Sequence, residues 1–305
     1  MASQLHPSIQ AFLAGFADTP LPPVSAMDAA AMRQIFDNPL PVEPVQIGES
    51  RDIQVPGAEG PLDARLYLPE SAASERLTLF FHGGGFVMGT LDTHDSLCRH
   101  LCRELDSAVM SVAYRLAPEH PYPAAPEDCY AAVQWAAENR AVFAAADAQL
   151  LLAGDSAGAC LCASVSLLAR ERGGADIDAQ LLFYPTANIP GDSDSYRQLG
   201  GGEYFLSREM MEFYWRHYLG DSQAADGFAT PLSCEDLGNL PQMHIVVAEF
   251  DPLRDEGNAY ARRLEAAGNR VHVQQANGMI HGFMSMPGVD VEIREILQRI
   301  AKELA

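Results

Sequence analysis

The chain is poor in lysine. Among 305 residues only Lys302 is one, out of 20 basic residues, and these face 41 acidic ones for a formal net charge of −21. So acidic a chain repels nucleic acid and anionic lipid, since both are bound through basic patches. The charge sets no limit on an uncharged ligand, and it fits GC-rich coding more simply than salt adaptation. Long apolar runs are missing too, as none reaches the ~18 residues that a bilayer span requires. The segment "IQAFLAGFA" near the N-terminus has no basic stretch before it, so no secretory leader is expected. An amphipathic helix burying Ile9, Phe12, Leu13 and Phe16 is expected there instead. The 6 cysteines are scattered and lack the dense spacing of a disulfide framework, which points to reduced thiols in a cytoplasm. One stretch suggests a metal site: His94, Cys98 and Cys102, with His100 close by, recur at helical spacing on one face. The simpler reading takes both cysteines as small core hydrophobes. Neither a metal nor an organic cofactor is expected.

What is present reads as an ordinary globular chain, with 48% hydrophobic and 20% charged residues, long enough for one large α/β domain. Two strand-like segments at 46–70, "DIQVPG" and "LDARLYLP", suggest a hairpin. Short, largely apolar segments follow at 77–82, 108–114, 149–154, 179–185, 243–249 and 271–275. Between them lie helical patterns at 94–105, 125–139, 157–172, 254–267 and 290–304. Continuous apolar strands alternating with helices imply a mostly parallel sheet covered on both faces. Residues 186–228 break the rhythm, with "NIPGDSDS", "LGGGE" and the helical "REMMEFYWRHYL". A helical excursion of this kind sits over the C-terminal edge of the strands, where ligands bind. Residues 1–45 and 186–228 are therefore expected to form a helical cap. Residues 46–185 and 229–305 are expected to form the α/β core, as one discontinuous domain.

Gly154-Asp155-Ser156-Ala157-Gly158 follows an apolar strand and opens a small-residue helix. Chance alone places G-x-S-x-G in such a chain about 0.1 times, so context carries the argument. A strand, a glycine-flanked serine and a helix make a sharp turn that thrusts the serine outward as a nucleophile. Asp155 points elsewhere on such a turn and is read as structural. The serine needs a base, which His281 in "MIHGFMS" supplies after the last strand. The base needs an orienting acid, which Asp251 in "EFDPLRDEG" supplies after the preceding strand, with Asp255 as the competitor. The order Ser156, Asp251, His281 is the order of nucleophile, acid and base on an α/β-hydrolase sheet. "FFHGGGF" follows the strand at 77–82, and His-Gly-Gly-Gly arises by chance only about 0.002 times in this length. The amides of Gly83, Gly84 and Ala157 are the expected oxyanion donors. A phosphate cradle is excluded because no Gly-Lys-Ser/Thr follows the glycines.

Together, "HGGGF", "YRLAPEHPYPAAPED", "GDSAG", "EFDPLRDE" and "HGF" resemble, in order and spacing, the α/β-hydrolase family named for hormone-sensitive lipase. The likeness is to its bacterial carboxylesterase branch, nearest its acetyl esterases, and covers residues 46–305. The resemblance implies that Ser156, Asp251 and His281 are catalytic and that the glycines of "HGGGF" supply oxyanion donors. It further implies hydrolysis of short-chain acyl esters through an acyl-serine, without a cofactor. The chain departs from the family at Ala159 and Cys160 after the elbow and at Ala113 before Tyr-Arg-Leu, which affects pocket shape rather than mechanism. Phe86, Tyr184 and Phe205 are candidates for the pocket wall, and Arg115 with Glu119 for a structural ion pair. A small-molecule ester is the expected partner, with no nucleic acid and no membrane. A homodimer through the edge near "VHVQQ" or the C-terminal helix is the further expectation. The alternative is a ligand- or partner-binding protein on the same fold with little catalysis. The plant gibberellin receptor resembles the family but lacks the histidine that this chain retains as His281.

Overall fold

The computed structural model describes residues 4–17, 22–71, 74–220 and 226–304. Parts of both expected cap segments, 18–21 and 221–225, lie outside them. The described residues form an eight-stranded sheet: β1 (Glu49–Pro56), β2 (Pro61–Leu68), β3 (Arg76–Phe81), β4 (Ala108–Val112), β5 (Gln149–Asp155), β6 (Ala179–Phe183), β7 (Gln242–Phe250) and β8 (Val271–Ile280). Their order across the sheet is β1-β2-β4-β3-β5-β6-β7-β8. The β1–β2 hairpin is antiparallel, as is β2 against β4; every later pairing is parallel.

Side chains alternate across each strand, and both faces are covered. Leu77, Leu79 and Phe81 of β3 point into one apolar cluster, and Phe80 into the other. The first cluster holds β5 Leu150 and Leu152 with α4 (Ala124–Glu138), α6 (Ala157–Arg172) and α9 (Arg254–Ala266). The second holds Leu151 and Ala153 with α1 (Pro7–Ala17), α3 (Asp95–Glu104) and α10 (Asp290–Glu303). Ile9 of α1 is fully buried here. A short α5 (Arg140–Phe143) precedes β5.

Three further helices come from the segments outside the alternating pattern: α2 (Ala29–Phe36), α7 (Asp194–Leu199) and α8 (Arg208–Leu219). Each starts on a side-chain cap, where Asp28, Ser193 and Ser207 accept the amides of Ala31, Tyr196 and Met210.

Strand register brings the chemistry-bearing loops together at one edge. Phe81 pairs with Gly154, so the loop after β3 lies beside the turn after β5. Phe250 pairs with Ile280, which places Asp251 and His281 side by side.

Candidate active site

Ser156 joins β5 to α6 with φ 53° and ψ −116°, a strained conformation for a residue with a side chain. The flanking glycines are required by contact. A Cβ at Gly158 would overlap the Phe81 carbonyl oxygen, and one at Gly154 would overlap Gly158. The turn therefore closes only without side chains at 154 and 158, and it presents Ser156 Oγ outward.

His281 Nε2 lies 2.8 Å from Ser156 Oγ, and His281 Nδ1 lies 2.8 Å from Asp251 Oδ2. A carboxylate only accepts, so Nδ1–H donates to Asp251 and Nε2 is left to accept from the serine hydroxyl. Asp251 is fully buried, and its second oxygen accepts the Leu253 amide at 2.8 Å. The same carboxylate thus steadies both the histidine and the turn into α9. Asp255, the competing acid, is engaged elsewhere, with the Ser195 amide at 2.8 Å and Arg254 at 3.0 Å.

The loop after β3 corrects one expectation. The Gly83 amide donates to Asp155 Oδ1 at 2.8 Å and is not free for an oxyanion. The next two amides, of Gly84 and Gly85, have no protein acceptor among the described residues, and both glycines line the cavity above Ser156. Gly84 has φ 110°, which suits glycine and turns the peptide inward. Ala157 opens α6, where the first amides of a helix are unpaired. The amides without a protein acceptor beside Ser156, among the described residues, are thus those of Gly84, Gly85 and Ala157 rather than that of Gly83.

Asp155 is 4% exposed. Burial alone would push its carboxyl up, but His94, the Gly83 amide and His82 outweigh it and hold it below the usual carboxylate range. Burial and then His94 push His82 down to about 4. Buried Glu256 accepts the amides of Ala187 at 2.5 Å and Asn188 at 2.9 Å, fixing the turn after β6, and burial pushes its carboxyl up to about 7.

Two pocket candidates are also corrected. Phe86 is 1% exposed and stacks on Tyr218 with centroids 3.7 Å apart. Its ring packs in the core and is absent from the cavity lining. Tyr184 is buried, its ring centroid 4.9 Å from that of His281 in an edge-on contact. Phe205 does line the cavity, and its ring meets Phe12, Phe16 and Phe36 at 5.4–6.0 Å. Tyr214, Met88, Met210 and Met286 complete an apolar wall. That wall draws on α1, α2 and α8, which no periodicity in the sequence assigns to a pocket.

The expected Arg115–Glu119 pair does not form. Arg115 turns inward to Asp128, which is fully buried and requires a cation, at 2.7 Å, and also reaches Glu59. Glu119 instead takes Arg33 of α2 in a two-pronged contact at 2.6 and 2.8 Å. Arg33 also donates to the carbonyls of Val87 and Ala117, and Asp37 accepts the Gly89 amide at 2.7 Å. The N-terminal segment thereby grips the glycine loop from outside. The proposed metal grouping disperses: His94 faces Asp155, His100 faces Asp290, and Cys98 and Cys102 are buried. Among the described residues no cluster is arranged to hold a metal ion, and no helix is long and apolar enough to cross a membrane.

Comparison with known proteins agrees with this geometry. A family model described as alpha/beta hydrolase fold matches residues 78–285, more than half of the chain. The carboxylic ester hydrolase LipN of Mycobacterium tuberculosis is 42% identical over 242 residues, covering 77% of this chain and 64% of that relative. The chain belongs to the carboxylesterase branch of the α/β-hydrolase family. This carboxylesterase thus spans just under two thirds of LipN's length, but it matches other relatives almost end to end. The ethyl acetate hydrolase of Pseudomonas putida is 31% identical, with 98% of each chain covered. A hyperthermophilic esterase from the archaeon Pyrobaculum calidifontis superposes with a TM-score of 0.87 at 35% identity, covering 99% of this chain and 98% of that one.

Proposed function

We propose that this carboxylesterase hydrolyses small, uncharged esters of short acyl chains through an acyl-serine at Ser156. The observation that carries the reading is the 2.8 Å contact of His281 Nε2 with Ser156 Oγ on the floor of an apolar cavity. His281 takes the hydroxyl proton as Oγ bonds to the ester carbonyl carbon. The amides of Gly84, Gly85 and Ala157 receive the oxyanion. His281 then gives the proton to the departing alkoxide, and the acyl group is left on Ser156. A water gives its proton to His281 as it attacks the acyl-serine, and His281 passes that proton to Ser156 Oγ as the acid is released. Asp251 stabilises the imidazolium in both halves.

The size and lining of the cavity support the substrate class. Its volume is about 200 Å³, below the ~300–1,000 Å³ typical of drug-sized ligand sites. Among the described residues no Lys or Arg lines it, which favours an uncharged ester over a charged carboxylate. In this reading residues 1–45 and 186–228 act as a cap over the core of 46–185 and 229–305, with Phe205 closing the acyl end. Cytoplasmic residence and a homodimer through the open edge of β8 or through α10 extend the reading. The first accords with the six unpaired thiols, and a single-chain mass in sedimentation equilibrium would remove the second.

Initial rates on p-nitrophenyl esters from acetate to laurate test the reading. The expected optimum is at about two to six carbons. Phe205→Ala is expected to move it to longer chains by about two carbons or more, because the lost ring enlarges the apolar end of the cavity. A maximum at laurate in the unaltered enzyme would overturn the short-chain assignment.

A further inference from the structure

A second imidazole–carboxylate contact lies beside the triad, and the chemistry above does not use it. Asp155 precedes Ser156, yet its side chain turns into the protein. Its Oδ1 accepts the Gly83 amide at 2.8 Å and faces His94 Nε2 at 3.2 Å. Because the carboxylate only accepts, His94 Nε2 must carry a hydrogen. On the other side of the ring, Nδ1 is 2.8 Å from Thr93 Oγ1, which is itself 2.9 Å from the Thr90 carbonyl. The imidazole is held between Phe80 and His82, with centroids 5.9 and 5.5 Å away, and it borders the cavity. Its place just before α3 makes it a fixed element rather than a loop-borne one.

Two consequences follow from this placement. A carboxylate close to the point where an oxyanion develops has to be held in place, turned away from that charge. His94 is the histidine in contact with it, within 3.2 Å. The peptide that Asp155 grips is also the one immediately before the Gly84 and Gly85 amides. There is no slack in the grip, since a Cβ at Gly83 would lie 2.5 Å from Asp155 Oδ2. Any movement of Asp155 is therefore passed directly to the oxyanion donors.

We infer that His94 is a positioning residue for ester hydrolysis: its Nε2–H anchors the Asp155 carboxylate, which fixes the Gly83 peptide and through it the amides that receive the oxyanion. The inference rests on Ser156 being the nucleophile. His94 touches no reacting atom, so its contribution is to the transition state and not to ester binding.

The test compares His94→Asn, His94→Phe and His94→Gln with the unaltered enzyme and with Ser156→Ala. Glutamine reaches the position of His Nε2 with a donor, asparagine falls short, and phenylalanine keeps the ring packing without a donor. Asn and Phe are each expected to lower kcat about 30- to 100-fold with KM within about threefold. Inhibition by a trifluoromethyl ketone, which forms a tetrahedral oxyanion on the serine, is expected to weaken by the same factor as kcat/KM. Gln is expected to keep kcat within about fivefold. Wild-type kcat in whichever of the Asn or Phe variants folds would overturn the inference. So would equal losses in all three, or an effect confined to KM. Activity surviving in Ser156→Ala would instead overturn the reading on which it rests.

Discussion

Ser156→Ala is expected to lower kcat on p-nitrophenyl acetate at least ~10³-fold while KM stays within about threefold. The magnitude follows from what the hydroxyl does. Without Oγ there is no acyl acceptor, and only the oxyanion amides and the cavity remain to assist direct attack by water. The fold has little reason to change. Oγ touches His281 within the site, whereas the turn is held by backbone bonds, with the Ser156 amide donating to Phe183 at 2.9 Å. Alanine keeps the Cβ that this turn already accommodates at positive φ. Purified variant and parent, compared by kcat, KM and thermal unfolding, separate chemistry from stability. Equal and feeble rates in both proteins would mean that the constellation is a relic and that the cavity binds rather than reacts.

The second large effect is expected from Asp251→Asn, a loss of about 10³- to 10⁴-fold in kcat. Asparagine keeps an oxygen for the Leu253 amide, which Asp251 Oδ1 accepts at 2.8 Å, so the entry into α9 is preserved. The amide nitrogen then faces His281 Nδ1 in place of Oδ2, which stood 2.8 Å away. An N–H there forces the hydrogen of the imidazole onto Nε2, where it cannot accept the serine proton. Thermal unfolding should therefore change little while turnover collapses. Asp255→Asn is the control: Asp255 serves the Ser195 amide and Arg254, so turnover should stay within about threefold. A loss below about tenfold in Asp251→Asn, or a larger one in Asp255→Asn, would transfer the orienting role.

The strand ends were legible in the sequence because each apolar segment stops where its loop begins. The parallel sheet then sets those loops at one edge: Asp251 beside His281 through the pairing of Phe250 with Ile280, and the glycine loop beside Ser156 through Phe81 with Gly154. What stayed hidden depends on contacts between distant residues. Which glycine amides are free turns on Asp155 taking the one at Gly83, a pairing that no spacing reveals. Phe86 and Tyr184 each follow a strand end beside the site, but both rings are buried in the core, Phe86 stacked on Tyr218 and Tyr184 against Phe283. Arg115 and Glu119 have helical spacing, yet buried Asp128 and the guanidinium of Arg33 are the stronger claims on them. Arg33 itself bore no sequence signal, since its partners lie 54 to 86 residues away.

Every step of the hydrolysis depends on activation of Ser156 Oγ by His281. The most direct test is the intact mass and peptide map of the enzyme after exposure to a p-nitrophenyl alkylphosphonate. One phosphonyl group per chain is expected, on Ser156, with labelling slowed at least ~10²-fold in His281→Ala. An unlabelled chain, a label on another residue, or labelling indifferent to His281 would contradict it.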